Sequence, residues 1–316
     1  MKTLRFGVEI ETVGISRQQL ANAIQTVVGG RVLPGPDGYT VADERGRNWS
    51  VVRDGSLSGV NNGEIVTPIL EWTDIEQLQD VVRAVRAAGA RADSSCGIHI
   101  HVDGSRFDAK AITNLVKMVN KQEALIESAI RLSSDRRSRY CQPIDQSFLG
   151  RLEQQRPQSM DQVRAAWYGS AHHRPTRYDY SRYHGLNLNS LFYRGTIEWR
   201  LFNGTLHAGE VKAYVHLVLA IAHKALSAKS AASRKRTLDP ATARYDLRVF
   251  LLRLGFIGPE FKSTRMHLMK HLGGSAAWKG TRRDRARVAP TSAAGGPEGN
   301  GSEGAPVAAA SPEVAA

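Results

Sequence analysis

Several short stretches of this chain alternate apolar and polar residues with a period of two, and this pattern most constrains the fold. In Phe6-Gly7-Val8-Glu9-Ile10-Glu11, the apolar Phe6, Val8 and Ile10 alternate with Gly7, Glu9 and Glu11. Gly97-Ile98-His99-Ile100-His101-Val102 sets His99 and His101 against Ile98, Ile100 and Val102. Thr196-Ile197-Glu198-Trp199-Arg200-Leu201 opposes Thr196, Glu198 and Arg200 to Ile197, Trp199 and Leu201, and Leu186-Asn187-Leu188-Asn189 repeats the arrangement with two amides. Such alternation is the mark of half-buried strands, in which residues two apart share a face with Cα atoms roughly 6.5–7 Å apart.

Placed in one sheet, these strands would bury an apolar face and collect carboxylates, imidazoles, amides and a guanidinium on the other. Converging carboxylates either take up protons or hold a cation. Oxygen donors with imidazole suit Mg²⁺ or Mn²⁺, whereas softer metals call for thiolates. The cysteines, Cys96 and Cys141, have no CxxC spacing and form neither a disulfide framework nor a zinc cluster motif.

Between the strands lie helical signals. Ser16 and Gln19 form a capping box ahead of the stripe Leu20, Ala23, Ile24, Val27 and Val28, which Gly29-Gly30 ends. Thr73 and Glu76 predict a second cap, and Asp108 opens a long helix running to about residue 131. Residues 31–53 read as short strands around a turn, and 63–68 as a strand stopped by Pro68. Residues 187–192 and 196–202 read as a hairpin through Tyr193-Arg194-Gly195, followed by a helix over 208–228 and two weaker ones near 240–254 and 259–271. Strands mixed with helices without a βαβ rhythm predict an α+β fold on a largely antiparallel sheet.

The expected domain is residues 1–230, with an arginine-rich, tyrosine-dotted lid or substrate-facing insertion at 131–182, in which Ser159 and Gln162 mark one helix. A helical extension follows at 231–279, and the Ala/Gly/Pro/Ser-rich residues 280–316 are expected to be a disordered tail. A net charge of +13 favours an anionic partner, whether an acidic substrate or nucleic acid, or serves solubility alone. No run approaches the ~18 apolar residues of a membrane span, and the acidic strand begins too early for a signal peptide, so no membrane partner and a cytoplasmic location are expected.

Taken together, the motifs resemble the amidoligase family, relatives of the glutamine synthetase and glutamate–cysteine ligase superfamily of carboxylate–amine ligases. The likeness rests on FGVEIE at 6–11, DGS at 54–56, GEIVTPIL at 63–70, GIHIHVD at 97–103, YCQP at 140–143 and GTIEWRLFNGTL at 195–206. It implies a curved antiparallel sheet of glutamine-synthetase type, helices on its outer face and ATP with Mg²⁺ (or Mn²⁺) on the concave one. On the family's pattern Glu9, Glu11, Glu64, His99 and Glu198 are metal ligands. Arg200 contacts nucleotide phosphate and joins Glu198 in catalysis, with His101 and Arg194 as further phosphate partners. Asp54, Asn187, Asn189 and Arg139 are candidates for substrate contact. The implied reaction joins a carboxylate and an amine, from a peptide, a protein or a small molecule, through an acyl phosphate. GxxxxGK[ST] is absent from the sequence, and GxGxxG occurs at Gly299–Gly304, in the Ala/Gly/Pro/Ser-rich tail with no strand-like run before it, so ATP binding here needs another cradle.

The same residues read without the resemblance leave other uses open. Carboxylates and histidines on strands beside a basic surface also serve metal-dependent phosphohydrolases and nucleases. The arginine-rich segment alone could be a nucleic-acid-binding module, though it carries no RNP, KH or helix-turn-helix signature. Glu198 and Arg200 could be a simple ion pair, Asp54 a turn residue, Asn187 and Asn189 structural amides and Cys141 a buried core thiol. Oligomeric state has no signature in the sequence.

Overall fold

The computed structural model describes residues 1–279; the predicted tail at 280–316 lies outside the described residues. In chain order the elements are β1 (Phe6–Val13), α1 (Arg17–Val28), β2 (Arg31–Gly35), β3 (Gly38–Ala42), β4 (Asn48–Val52), β5 (Asn62–Val66), α2 (Ile75–Ala87), β6 (Gly97–Asp103) and α3 (Ala109–Ile130). Then come α4 (Ser134–Arg139), α5 (Gln146–Gln155), α6 (Met160–Tyr168), β7 (Leu186–Asn187), α7 (Asn189–Arg194), β8 (Thr196–Asn203), α8 (Ala208–Ser227), α9 (Ala243–Arg253) and α10 (Lys262–Met269). The eight strands form one antiparallel sheet in the order β2-β3-β4-β5-β1-β6-β8-β7, so the fold is α+β as the alternation predicts. No helix among the described residues is long and apolar enough to cross a membrane.

The acidic strand β1 and the histidine strand β6 are neighbours at the centre, flanked by β5 and β8. Their apolar residues, Phe6, Val8, Ile10, Ile65, Ile98, Ile100, Ile197 and Trp199, are buried on the face that helices cover. There α1 packs on β2 to β5 and α8 on β6, while α2 and α3 pack on α1 and α8. Fully burying one such side chain contributes roughly 1.5–3 kcal/mol, which explains why the register is firmly set: a one-residue slip would expose the whole set.

Three local departures from the sequence reading have physical causes. The Thr73/Glu76 capping box does not form. A 3-10 turn over Trp72–Asp74 leads into α2, and Asp74 Oδ2 accepts the Glu71 N–H at 2.9 Å. The predicted 187–202 hairpin is instead a two-residue strand, a helical turn and β8. Asn187 Oδ1 accepts the N–H groups of Asn189 (2.9 Å) and Ser190 (3.4 Å), which starts α7, and Gly195 at φ +83° ends it. Asn189 therefore lies on a helix, not on a strand face beside Asn187.

The third departure is a β-bulge between β6 and β8. Ile98 pairs with Phe202 and Ile100 with Trp199, so Arg200 and Leu201 together oppose His99. The alternation predicts Leu201 on the core face with Trp199. The bulge gives that place to Phe202, stacked on Tyr214 of α8 with ring centroids 4.4 Å apart, while Leu201 Cβ lies beside Gly185. The bulged Arg200 carbonyl accepts from Arg136 Nη2 (3.1 Å) and from the Cys141 thiol (3.0 Å). Cys141 is thereby a buried structural thiol, pushed to a raised pKa chiefly by burial.

The 131–182 segment holds three helices, not one. Ser133, Asp145 and Ser159 cap α4, α5 and α6 by accepting N–H groups three residues on. Phe148, Leu152, Val163 and Trp167 from it are buried in the main core, whereas Arg136, Arg139, Arg177 and Arg182 face a cavity over the opposite side of the sheet.

Candidate active site

The cavity has a volume of about 1050 Å³, and its floor is the polar face of the sheet. Register assembles this floor. Glu9 pairs with His99 across β1 and β6, Glu11 with Glu64 across β1 and β5, and Glu198 with both His101 on β6 and Asn187 on β7. Five strands thus place eight side chains of four chemical kinds, Arg200 included, on one surface. The expectation that separated acidic, imidazole and guanidinium groups meet is met by the geometry.

The contacts are close. Glu9 Oε2 lies 3.1 Å from His99 Nδ1 and Glu9 Oε1 3.2 Å from His101 Nε2. Glu11 Oε1 is 3.8 Å from His99 Nε2, and Glu11 Oε2 accepts the Gly97 N–H at 2.5 Å. Glu198 Oε1 accepts from Arg200 Nη1 at 2.5 Å, while its Oε2 accepts from Asn187 Nδ2 at 2.7 Å. Arg194 Nη1 stands 3.5 Å from Glu9 Oε1. His101 Nδ1 shares a proton with Thr196 Oγ1 at 3.0 Å, and Thr196 in turn contacts Ser190 Oγ at 3.0 Å, which orients the ring.

Electrostatics divides the floor. Burial opposes ionisation of Glu9, yet His101 and His99 beside it hold its carboxyl well below the usual range. Glu198 is likewise buried and held low by Arg200 and then by the two histidines. Glu64 behaves oppositely: burial pushes it well up, and Glu9, Glu11 and Asp54 add like-charge repulsion. Glu9 and Glu198 are stable as anions, whereas Glu64, toward β5, is disfavoured as an anion by burial and by its carboxylate neighbours.

Three overlapping donor triads lie on this floor: Glu9, Glu64 and His99; Glu9, His101 and Glu198; and Glu11, Asp54 and Glu64, each with its ligand atoms within 4.8 Å of one another. Buried His101 Nε2 makes no hydrogen bond among the described residues despite its approach to Glu9, and a lone buried nitrogen of this kind calls for a partner. Oxygen-rich sets with one imidazole fit hard divalent cations such as Mg²⁺ or Mn²⁺. More than one triad leaves room for more than one ion.

The remaining candidates divide. Asp54 Oδ1 caps its own turn, accepting from Ser56 N–H (2.8 Å) and Oγ–H (2.7 Å), and Asp54 also joins the third triad. Asn187 is committed to Glu198 and to the start of α7. Asn189 lines the cavity but is held on both sides, donating to the Thr176 carbonyl (3.0 Å) and accepting from Tyr168 Oη–H (2.5 Å). Arg139 is exposed on the wall, 3.4 Å from Asp135.

Arg136, read from the sequence with Arg139 as either a solvated helix end or a contact to an acidic substrate, is not a solvated side chain. It is buried, and its guanidinium covers Gly97, where a Cβ would stand 2.2 Å from Nη2. The wall adds Arg53, Arg177 and Arg182, with Arg182 over the rings of Tyr178 (5.2 Å) and Tyr183 (4.8 Å). Lysine is absent from this lining among the described residues. Arginine alone suits planar, bidentate capture of phosphate or carboxylate.

This arrangement, with carboxylates and imidazoles below and guanidinium groups above, coincides with a match to known proteins. A family model described as "putative amidoligase enzyme" matches residues 2–222. The chain belongs to this amidoligase family. A search of curated proteins found no match. The matched region of this amidoligase takes in every floor residue from Glu9 to Arg200 and stops within α8. Family membership makes it an enzyme of ligase type.

Proposed function

We propose that this amidoligase joins a carboxylate to an amine at the expense of ATP, through an acyl-phosphate intermediate. The observation that carries the reading is the convergence of Glu9, Glu11, Glu64, His99, His101 and Glu198 beneath an arginine wall, in a cavity of about 1050 Å³. Drug-sized pockets run about 300–1000 Å³, so this volume accommodates a nucleotide together with a second substrate.

Bound Mg²⁺ or Mn²⁺ neutralises phosphate oxygens during phosphoryl transfer. Glu9, Glu11, Glu64, His99 and Glu198 are the residues that would hold it. Arg200, fixed by Glu198, keeps its buried Nε without a partner among the described residues and presents a rigid guanidinium to the triphosphate. Arg194 extends the same positive edge above Glu9. The substrate carboxylate takes the terminal phosphoryl group with release of ADP, the amine then attacks the acyl carbon, and phosphate departs. Preorganised positive charge at the phosphoryl group and exclusion of water are what the protein supplies. A protein nucleophile is not required, and the buried, raised-pKa Cys141 does not offer one. The arginines of the wall favour an anionic substrate, and the amine and carboxylate partners belong to a peptide, a protein or a small molecule.

A screen of amines and carboxylates with ATP and Mg²⁺, read by ADP release and by mass spectrometry of the product, tests this. ADP with an amide product supports the ligase. AMP release would mean adenylation, and metal-dependent cleavage of nucleic acid without ATP would move the site to nuclease chemistry.

A further inference from the structure

Away from the sheet floor, α8 and α10 bring a second set of metal-type donors together. His207 immediately precedes α8, Glu210 lies in its first turn, and His267 comes from α10. One ligand atom from each lies within 4.8 Å of the other two. The two imidazoles face each other with ring centroids 4.8 Å apart and planes tilted by 58°. Neither ring makes a hydrogen bond among the described residues.

The packing of α10 on α8 depends on a missing side chain. A Cβ at Gly209 would stand 2.4 Å from His267 Nε2 and 3.1 Å from the His207 ring, so glycine leaves the space that lets both imidazoles approach the first turn of α8. The donors differ in kind from those of the floor. Two imidazoles and one carboxylate form the set that Zn²⁺ takes with an open fourth position, whereas Mg²⁺ prefers oxygen.

We propose that His207, Glu210 and His267 form a transition-metal site, zinc by donor chemistry, that pins the C-terminal helical extension to the last helix of the family region. The family match ends at residue 222, so His267 belongs to the part of the chain outside it. The site is independent of the ligase reading. Lys270 pairs with Glu210 Oε1 and supplies the local positive charge. A bound cation competes with this ammonium for the same carboxylate. Removing Lys270 therefore strengthens metal binding even though it deletes an ion pair.

The test uses the full chain, stripped with a chelator and then kept in excess Mg²⁺ so that hard-cation positions are filled. Zn²⁺ is titrated against a chromophoric competitor, and Co²⁺ spectra report the ligand field. Wild type should bind one Zn²⁺ equivalent that His207→Asn and His267→Asn weaken by roughly 10–100-fold or more. Gly209→Ala should weaken binding and Lys270→Ala should tighten it. Equal Zn²⁺ uptake by wild type and His267→Asn overturns the site. Should a histidine variant fail to fold, as judged by circular dichroism, the other two decide: opposite shifts support the site, and no shift in either overturns it.

Discussion

Histidines on the two sides of the sheet are comparably buried and electrostatically opposite. His101 on the floor and His216 in the helical layer are 8% and 1% exposed. Burial pushes both toward the neutral form. For His101 the push is reversed by Glu9 and then Glu198, and its pKa is raised. Among the described residues no carboxylate contributes to the surroundings of His216. Its ring stacks on Trp72 at 4.5 Å, Phe256 and Phe261 lie nearby, and Nδ1 meets Thr264 Oγ1 at 2.8 Å. Burial first, then Lys212 and Lys2, takes it down to about 3. The difference teaches that burial does not decide how this protein uses a histidine. The floor is organised to hold charge, and the aromatic pocket around His216 to exclude it.

The largest effect expected from this contrast is on activity. Glu9→Gln and Glu198→Gln keep side-chain shape and one acceptor but remove the charge that pairs with the histidines and Arg200. Each should lower ligase turnover by roughly 10³-fold or more, about 4 kcal/mol of barrier, with the fold intact by circular dichroism. Substantial turnover in either variant would mean that the floor's charge is structural, and the comparison would break.

The second effect concerns stability and sharpens the other side. His216 titrates near 6.5 in the unfolded chain and near 3 in the folded one. A depressed folded pKa means its contribution is complete above pH 6.5 and is lost as pH falls, because the unfolded chain takes up the proton first. The loss is about 1.4 kcal/mol per pH unit between those values, hence about 2 kcal/mol at pH 5. Urea midpoints at pH 7 and pH 5 should show it in wild type, and His216→Gln should lack that part of the pH dependence. An unchanged difference between the two pH values in the variant would place the titrating group elsewhere.

How much of this was legible beforehand follows from period. A two-residue alternation survives in sequence, so Glu9, Glu11, His99, His101 and Glu198 could be assigned to polar strand faces and to one surface. Register leaves no such trace, so the β8 bulge that swaps Leu201 for Phe202 was invisible. The Leu186–Asn189 alternation misled because capping by the Asn187 side chain, a local hydrogen bond, overrode the strand pattern. Helices α4 to α6, of 6, 10 and 9 residues, are too short to show a 3.6-residue stripe clearly. Their caps Ser133 and Asp145 were the available signal and would have placed Arg136 at the start of a helix. The His207–Glu210–His267 group needed α10 to fold back on α8, which no spacing encodes.

The smallest effect separates the two ends of the floor itself. Glu64 sits directly across from Glu11, and with Asp54 their carboxylate oxygens lie within 4.8 Å of one another with no histidine among them. Like charges facing each other across strands destabilise a sheet. Glu64→Gln should therefore stabilise the chelator-treated protein by roughly 1 kcal/mol, the scale of one cross-strand charge pair. Added Mg²⁺ should raise the melting temperature of wild type and close or reverse the gap, since a bound cation would offset the mutual repulsion of the three acids. The variant should gain less from Mg²⁺ and lose activity. Glu9→Gln, whose carboxylate has histidines to balance it, should show no such stabilisation without metal. If both substitutions shift melting by the same amount with and without Mg²⁺, the floor is electrostatically uniform and its division into a paired and an unpaired end is wrong.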